Sequence, residues 1–136
     1  MLVESNMLPL ATKAPDFNLY NPKENKSQIL DELTQGNYKA HVIMFICNHC
    51  PYVIHILEKL IEVTNKYSEL NINFIAISAN NPETYPADSP EKMKELATNH
   101  NFCFPYLFDE TQQTAKDYMA ACTPDFYIFD DNLSCV

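Results

Sequence analysis

Cys47 and Cys50 are separated by two residues in Phe45-Ile46-Cys47-Asn48-His49-Cys50-Pro51-Tyr52, close enough to close a small disulfide ring. A thiol pair at this spacing exchanges disulfides when one sulfur ionises, because the thiolate is the nucleophile. The same pair is also half of a soft-metal site for Cu(I) or Zn, with His49, His55 or Cys122 as further ligand, and many cysteines are inert core residues. His55 follows Cys50 by five residues, which on a helix turns it about 140° away, so it reads as a solvated-face histidine. His49, when protonated, would stabilise a neighbouring thiolate and hence the reduced form, making the pair more oxidising.

The elements on either side decide how such a pair is presented. Ala40 to Ile46 is a continuous apolar run rich in β-branched and aromatic residues, the pattern of a strand buried on both faces. From Tyr52 to Tyr67 the period changes: Val53, Ile56, Leu57, Leu60, Ile61 and Thr64 recur at helical spacing, opposite His55, Glu58, Lys59, Glu62 and Lys66. The cysteines therefore fall at a helix N-terminus. Unpaired N–H groups and the positive end of the dipole there lower a thiol from about 8.5 to roughly 3.5–7.5. Pro51 lacks an N–H and suits the first helical turn, so the helix starts near Cys50 and the effect is stronger on Cys50 than on Cys47.

Elsewhere, Phe17 to Tyr20 is a candidate strand and Asn21 to Asn25 a polar turn. Ser27 is expected to cap a short helix, Gln28 to Leu33, ended by Gly36. Asn73 to Ala79 is a second buried strand, so strand, helix and strand make a βαβ crossover with a parallel core. Asn80 to Ser89 is a polar loop, either a connector or, through Tyr85, a partner surface. Ser89 caps a helix with Pro90 at its first position, ending about His100. Phe104 to Phe108 is a short strand. Asp109 and Gln112 suggest a capping box for a helix ending near Ala121. Thr123 to Phe129 is the last strand, and Leu133 to Val136 begins a hairpin partner for it. With a single glycine, Gly36, the tight turns are expected at Asn80-Asn81 and Asn132.

The 136 residues carry a formal net charge of −9 and no arginine, only nine lysines in no dense cluster. Nucleic acid and anionic membrane, which need a basic face, are therefore not expected partners. Nothing resembles a signal peptide or a membrane span, which makes the cytoplasm the expected compartment. In a reducing compartment the five cysteines read as reactive or free thiols. Cys103 and the histidines His41 and His100 read as core and as surface or strand-edge residues respectively, and Cys135 belongs to the final strand.

The order of elements, the strand-to-helix Cys47-Asn-His-Cys50 and Thr123-Pro124 before an apolar strand together resemble the thioredoxin superfamily. Phe45 to Val53, Asn80 to Met93 and Phe104 to Phe129 are similar to a peroxiredoxin-like subgroup of the alkyl hydroperoxide reductase and thiol-specific antioxidant family. The resemblance implies an α/β class chain: a thioredoxin-like fold, a mixed sheet with a parallel βαβ core flanked by helices. Residues 1–136 then form a single thioredoxin-like domain, truncated at the C-terminus and lacking its last strand and helix. It makes Cys47 the nucleophile, Cys50 its resolving partner and Pro124 a cis-proline facing the dithiol, presenting the Thr123 backbone to an extended substrate. Cys122 would lie near the same surface, or be a small buried apolar residue.

Two departures qualify the resemblance. Ile46 stands where thioredoxins carry a tryptophan. The proline and threonine that precede a peroxidatic cysteine are replaced by Ala40 and Met44 ahead of Cys47, and by Ile43 and Cys47 ahead of Cys50. The expected function is accordingly a thiol-disulfide oxidoreductase of antioxidant type with no cofactor. It would exchange with a disulfide-bearing protein or small-molecule thiol and be recycled by an external thiol reductant. A peroxiredoxin-like thiol peroxidase and a soft-metal module through Cys47 and Cys50 are the alternatives, with an interaction domain of vestigial redox site behind them.

Overall fold

A computed structural model describes residues 4–136. The buried apolar run forms strand β3 (Ala40–Phe45) and the amphipathic stretch forms helix α2 (Pro51–Ser68), followed by strand β4 (Ile72–Ser78). β3 and β4 pair in parallel from Ala40 beside Ile72 to Phe45 beside Ile77, as the βαβ reading requires. β5 (Tyr106–Phe108) adds to β4 in parallel, and β6 (Asp125–Asp130) to β3 antiparallel. A hairpin of β1 (Asn18–Asn21) and β2 (Lys26–Ile29) extends the other side, giving the order β2-β1-β5-β4-β3-β6.

Alternation along β3 supplies both faces of the sheet with core. Met44 joins Val53, Leu57 and Leu60 of α2 and Met93 and Ala97 of α3 (Pro90–Asn99). Ile43 and Phe45 point the opposite way, to Leu19, Leu30, Tyr118 and Phe129. The two apolar faces leave the C-terminal ends of β3, β4 and β5 as one edge of the molecule, where loops gather.

Local chemistry alters several expected elements. Ser27 and Gln28 lie in β2, not in a helix, because the Asn21–Asn25 turn folds Lys26–Ile29 back on β1 and buries Gln28 against Asn21. Helix α1 is only Leu30–Leu33, it has no side-chain cap, and its C-cap is Thr34; Gly36 sits beyond it at φ +120°. Ser89 caps α3 as expected, accepting the Lys92 N–H at 3.2 Å. The Asp109–Gln112 capping box does not form. Helix α4 is Gln113–Asp117, Gln112 is left-handed and sends its amide to the Ala79 carbonyl, and Asp109 accepts the Ala115 N–H instead. Left-handed asparagines occur at Asn25, Asn71 and Asn101, whereas Asn81 turns the chain by accepting the Glu83 N–H. Leu133 to Val136 begins the hairpin, with Val136 donating to Ile128, and also pairs with Ala11 to Ala14.

Two side chains lie opposite to expectation. His41 is buried at 2% exposure, its ring nitrogen against the Asn73 amide and its edge against Tyr38. Cys103 is exposed beside the Ser68 hydroxyl, because Phe102 and Phe104 on either side take the core positions. Among the described residues no helix is long and apolar enough to cross a membrane.

Candidate active site

The six residues singled out from sequence converge at the C-terminal end of β3. Cys50 is the N-cap of α2 and Pro51 its first residue, so Cys47 lies just outside the helix. The Cys50 N–H donates to Cys47 Sγ at 3.1 Å. Thr123 approaches from the loop before β6 through a cis bond to Pro124. Its hydroxyl is 3.6 Å from Cys47 Sγ, and its carbonyl accepts from Cys50 Sγ at 3.3 Å. Cys122 borders this surface with its thiol on the Pro124 carbonyl, and all five cysteines are free thiols.

The two sulfurs differ in kind. Cys47 is 1% exposed, and burial pushes its thiol up to about 11, with the charges of Asp88 and Cys50 adding to it against the bonds from Thr123 and the Cys50 N–H. Cys50 is more open. Burial still works against its thiolate, but bonds from Thr123 and from the Val53 and Tyr52 N–H groups outweigh it, and the thiol lies below its ordinary value. The thiol at the helix start, Cys50, is thus the one held down, as the position of Pro51 implies, and Cys47, which the resemblance makes the nucleophile, is the one held up. The Cys122 thiol is held up by burial and by Asp125 and Cys50.

His49 lies within 4.8 Å of Cys47 Sγ but is bonded elsewhere. Its Nδ1 bonds to Asp88, and its ring stacks on Tyr85 at 4.9 Å between centroids. Asp88, in the helical turn Pro86–Asp88 before α3, is fully buried. It accepts from the Asn48 N–H at 2.7 Å, the His49 N–H at 3.2 Å and the Asn80 amide at 2.8 Å. Asn48 reaches Ala87 with its amide and accepts from the buried Tyr106 hydroxyl. Asp88, Asn80, Tyr85 and Tyr106 were not legible as site residues. The Asn80–Ser89 loop carries no helical or strand period, and although Asn80 to Met93 carries part of the family resemblance, nothing in it marks Asp88 beyond its place before the Ser89 cap.

One grouping among the described residues could hold an ion: atoms of Cys47, His49 and Asp88 lie within 4.8 Å of one another. In it His49 Nδ1 and Asp88 are already bonded to each other. Neither Cys122 nor His55 belongs to it; His55 is exposed on α2. On the Thr123 side of the dithiol a cleft of about 350 Å³ opens between Phe45, Asn80, Lys116, Cys122 and Thr123, with neither Cys47 nor Cys50 in its lining.

The AhpC/TSA family matches residues 10–134. A solved uncharacterised conserved protein from Geobacillus kaustophilus is 51% identical with a TM-score of 0.94, covering 98% of this chain and 70% of that one. A hypothetical protein from Sinorhizobium meliloti is 33% identical with a TM-score of 0.91, covering 97% and 70%. The thioredoxin domain of a thiol-disulfide oxidoreductase from Bacteroides vulgatus is 14% identical with a TM-score of 0.75, covering 96% and 87%; it shares the thioredoxin-like fold. No curated protein matches.

Proposed function

We propose, since the chain belongs to the AhpC/TSA family, that it is a thiol-disulfide oxidoreductase whose exchange centre is the Cys47–Cys50 pair. The observation that carries this is the arrangement of two free thiols at the start of α2, both in contact with Thr123 and joined by the Cys50 N–H to Cys47 Sγ bond. A thiolate attacks a disulfide sulfur only when ionised and accessible, and Cys50 meets both conditions better than Cys47.

In this reading Cys50 thiolate attacks the substrate disulfide and forms a mixed disulfide, expelling the first substrate sulfur. Cys47 then attacks Cys50 and releases the second. The substrate leaves reduced, the protein leaves with a Cys47–Cys50 disulfide, and an external thiol restores the dithiol. This order exchanges the roles that the family resemblance implies for the two cysteines. Thr123 and Pro124 line the approach, and Cys122 stands at its margin.

Reduction of insulin or of a small aromatic disulfide tests the proposal. Cys47→Ser and Cys50→Ser should each remove turnover with an external thiol. Either variant turning over like the parent rejects it. Peroxide reduction and soft-metal binding are the competing readings. Peroxide consumption that persists in Cys47→Ser at the parent rate would favour the first, and stoichiometric Zn or Cu in protein purified without added metal would favour the second.

A further inference from the structure

Thr123 is bonded to both sulfurs of the exchange centre, its hydroxyl 3.6 Å from Cys47 Sγ and its carbonyl 3.3 Å from Cys50 Sγ. The loop that carries it, between α4 and β6, has little internal support. The N–H groups of Ala121, Cys122 and Thr123 donate to no backbone carbonyl of the described residues. Met119, ahead of them, lies at φ +58°, a left-handed conformation that a non-glycine residue keeps only where its surroundings impose it. Downstream, the ladder between β6 and β3 begins only at Asp125, opposite Phe45. What holds Thr123 against the dithiol therefore acts at the ends of the loop.

Both ends are tied to one segment, residues 5–15, through bonds that span 103 to 120 residues of chain. Upstream, the buried Tyr118 donates its hydroxyl to the Pro15 carbonyl at 2.6 Å, and the Asn6 amide donates to the Met119 carbonyl at 3.4 Å. Downstream, Asp125 follows Pro124 directly and is 4% exposed. One of its carboxylate oxygens accepts the Ser5 hydroxyl at 2.8 Å and the other the Tyr127 hydroxyl at 3.0 Å. A buried carboxylate is costly unless its oxygens are bonded, and no lysine of the described residues pairs with this one, so the two hydroxyls fix it. The segment is itself anchored. Leu8 lies in the apolar cluster with Tyr118 and Phe129, and Ala11 and Ala14 donate to the carbonyls of Cys135 and Leu133.

We propose that Ser5 and Asp125 clasp the loop of Cys122, Thr123 and Pro124 to the N-terminal segment, with Asp125 the positioning residue that keeps Thr123 on the two sulfurs, an inference that rests on the thiol-disulfide reading above. The clasp acts on the redox equilibrium because a contact it maintains differs between the two states of the pair. The S–H of Cys50 that the Thr123 carbonyl accepts exists in the dithiol and is gone in the disulfide. Holding Thr123 in place therefore stabilises the reduced form and makes the pair more oxidising.

Equilibration with glutathione tests this, protein dithiol and oxidised glutathione giving protein disulfide and two molecules of reduced glutathione. Asp125→Ala removes both bonds and should raise the constant for forming the Cys47–Cys50 disulfide by about tenfold. Ser5→Ala removes one, at an exposed position, and should raise it about threefold, so failure of the first variant to fold leaves the second. Asp125→Asn keeps the shape and two polar atoms that the hydroxyls can bond, and should stay within about twofold of the parent. A residue that serves only fold stability would lower the urea midpoint of both redox forms equally and leave this constant unmoved. A folded Asp125→Ala or Ser5→Ala at the parent value overturns the proposal, and so does Asp125→Asn behaving like Asp125→Ala, which would make the charge and not the clasp the cause. If the parent forms no Cys47–Cys50 disulfide at any glutathione ratio, the exchange reading itself fails, a result distinct from failure of the clasp.

Discussion

At the residue scale the site is a contrast between two sulfurs in one short loop. Because Cys50 lies below and Cys47 above the ordinary thiol range, alkylation of the reduced protein should separate them. Only the thiolate reacts, so Cys50 is modified first near neutral pH. The Cys47 rate should climb about tenfold per pH unit until pH approaches 11, a trend that mass mapping of iodoacetamide-treated peptides reads directly. Equal rates for both at neutral pH would contradict the assignment. The same contrast predicts that Cys47→Ser, exposed to a disulfide, accumulates a stable adduct on Cys50, visible as an added mass. Cys50→Ser should form little adduct at Cys47. The dithiol was plain in the sequence because spacing and the strand-to-helix change mark it. Which sulfur is the more reactive was only half legible: Pro51 shifts the helix start toward Cys50, but the Thr123 hydroxyl that contacts Cys47 comes from seventy-six residues away.

At the element scale, β3, α2 and β4 were legible because each has a strong, unambiguous period, and their junction places the cysteines. The N-terminal hairpin was not. Ser27 before a short apolar run reads locally as a helix cap, yet β1 offers Lys26–Ile29 a ladder of backbone bonds that no local signal announces. The same limit hid Asp88, whose partners Asn48 and His49 come from another segment and Asn80 from the far end of its own loop. Ser89 is the counterexample, a cap that works as written. Removing its hydroxyl leaves an N–H of α3 unpartnered, so Ser89→Ala should cost about 1 kcal/mol, measurable as a shift in the urea midpoint at constant slope.

Across the whole molecule, the sheet separates two apolar clusters and leaves the C-terminal ends of its central strands free to gather the site. That arrangement lets α2 contribute Cys50, the turn before α3 contribute Asp88 and the loop before β6 contribute Thr123, all against the end of β3. Leu107, fully buried in β5, anchors the middle of this frame, and Leu107→Ala should cost about 2–5 kcal/mol in chemical denaturation. The central claim is that Cys47 and Cys50 act as one two-electron couple. Its most direct test is equilibration of the protein with graded ratios of reduced and oxidised glutathione, followed by acid quench and peptide mapping. The account predicts a single transition in which both thiols vanish together into a Cys47–Cys50 disulfide, while the exposed Cys103 follows its own course. Independent loss of the two thiols into separate glutathione adducts, with no linked peptide at any ratio, would contradict it.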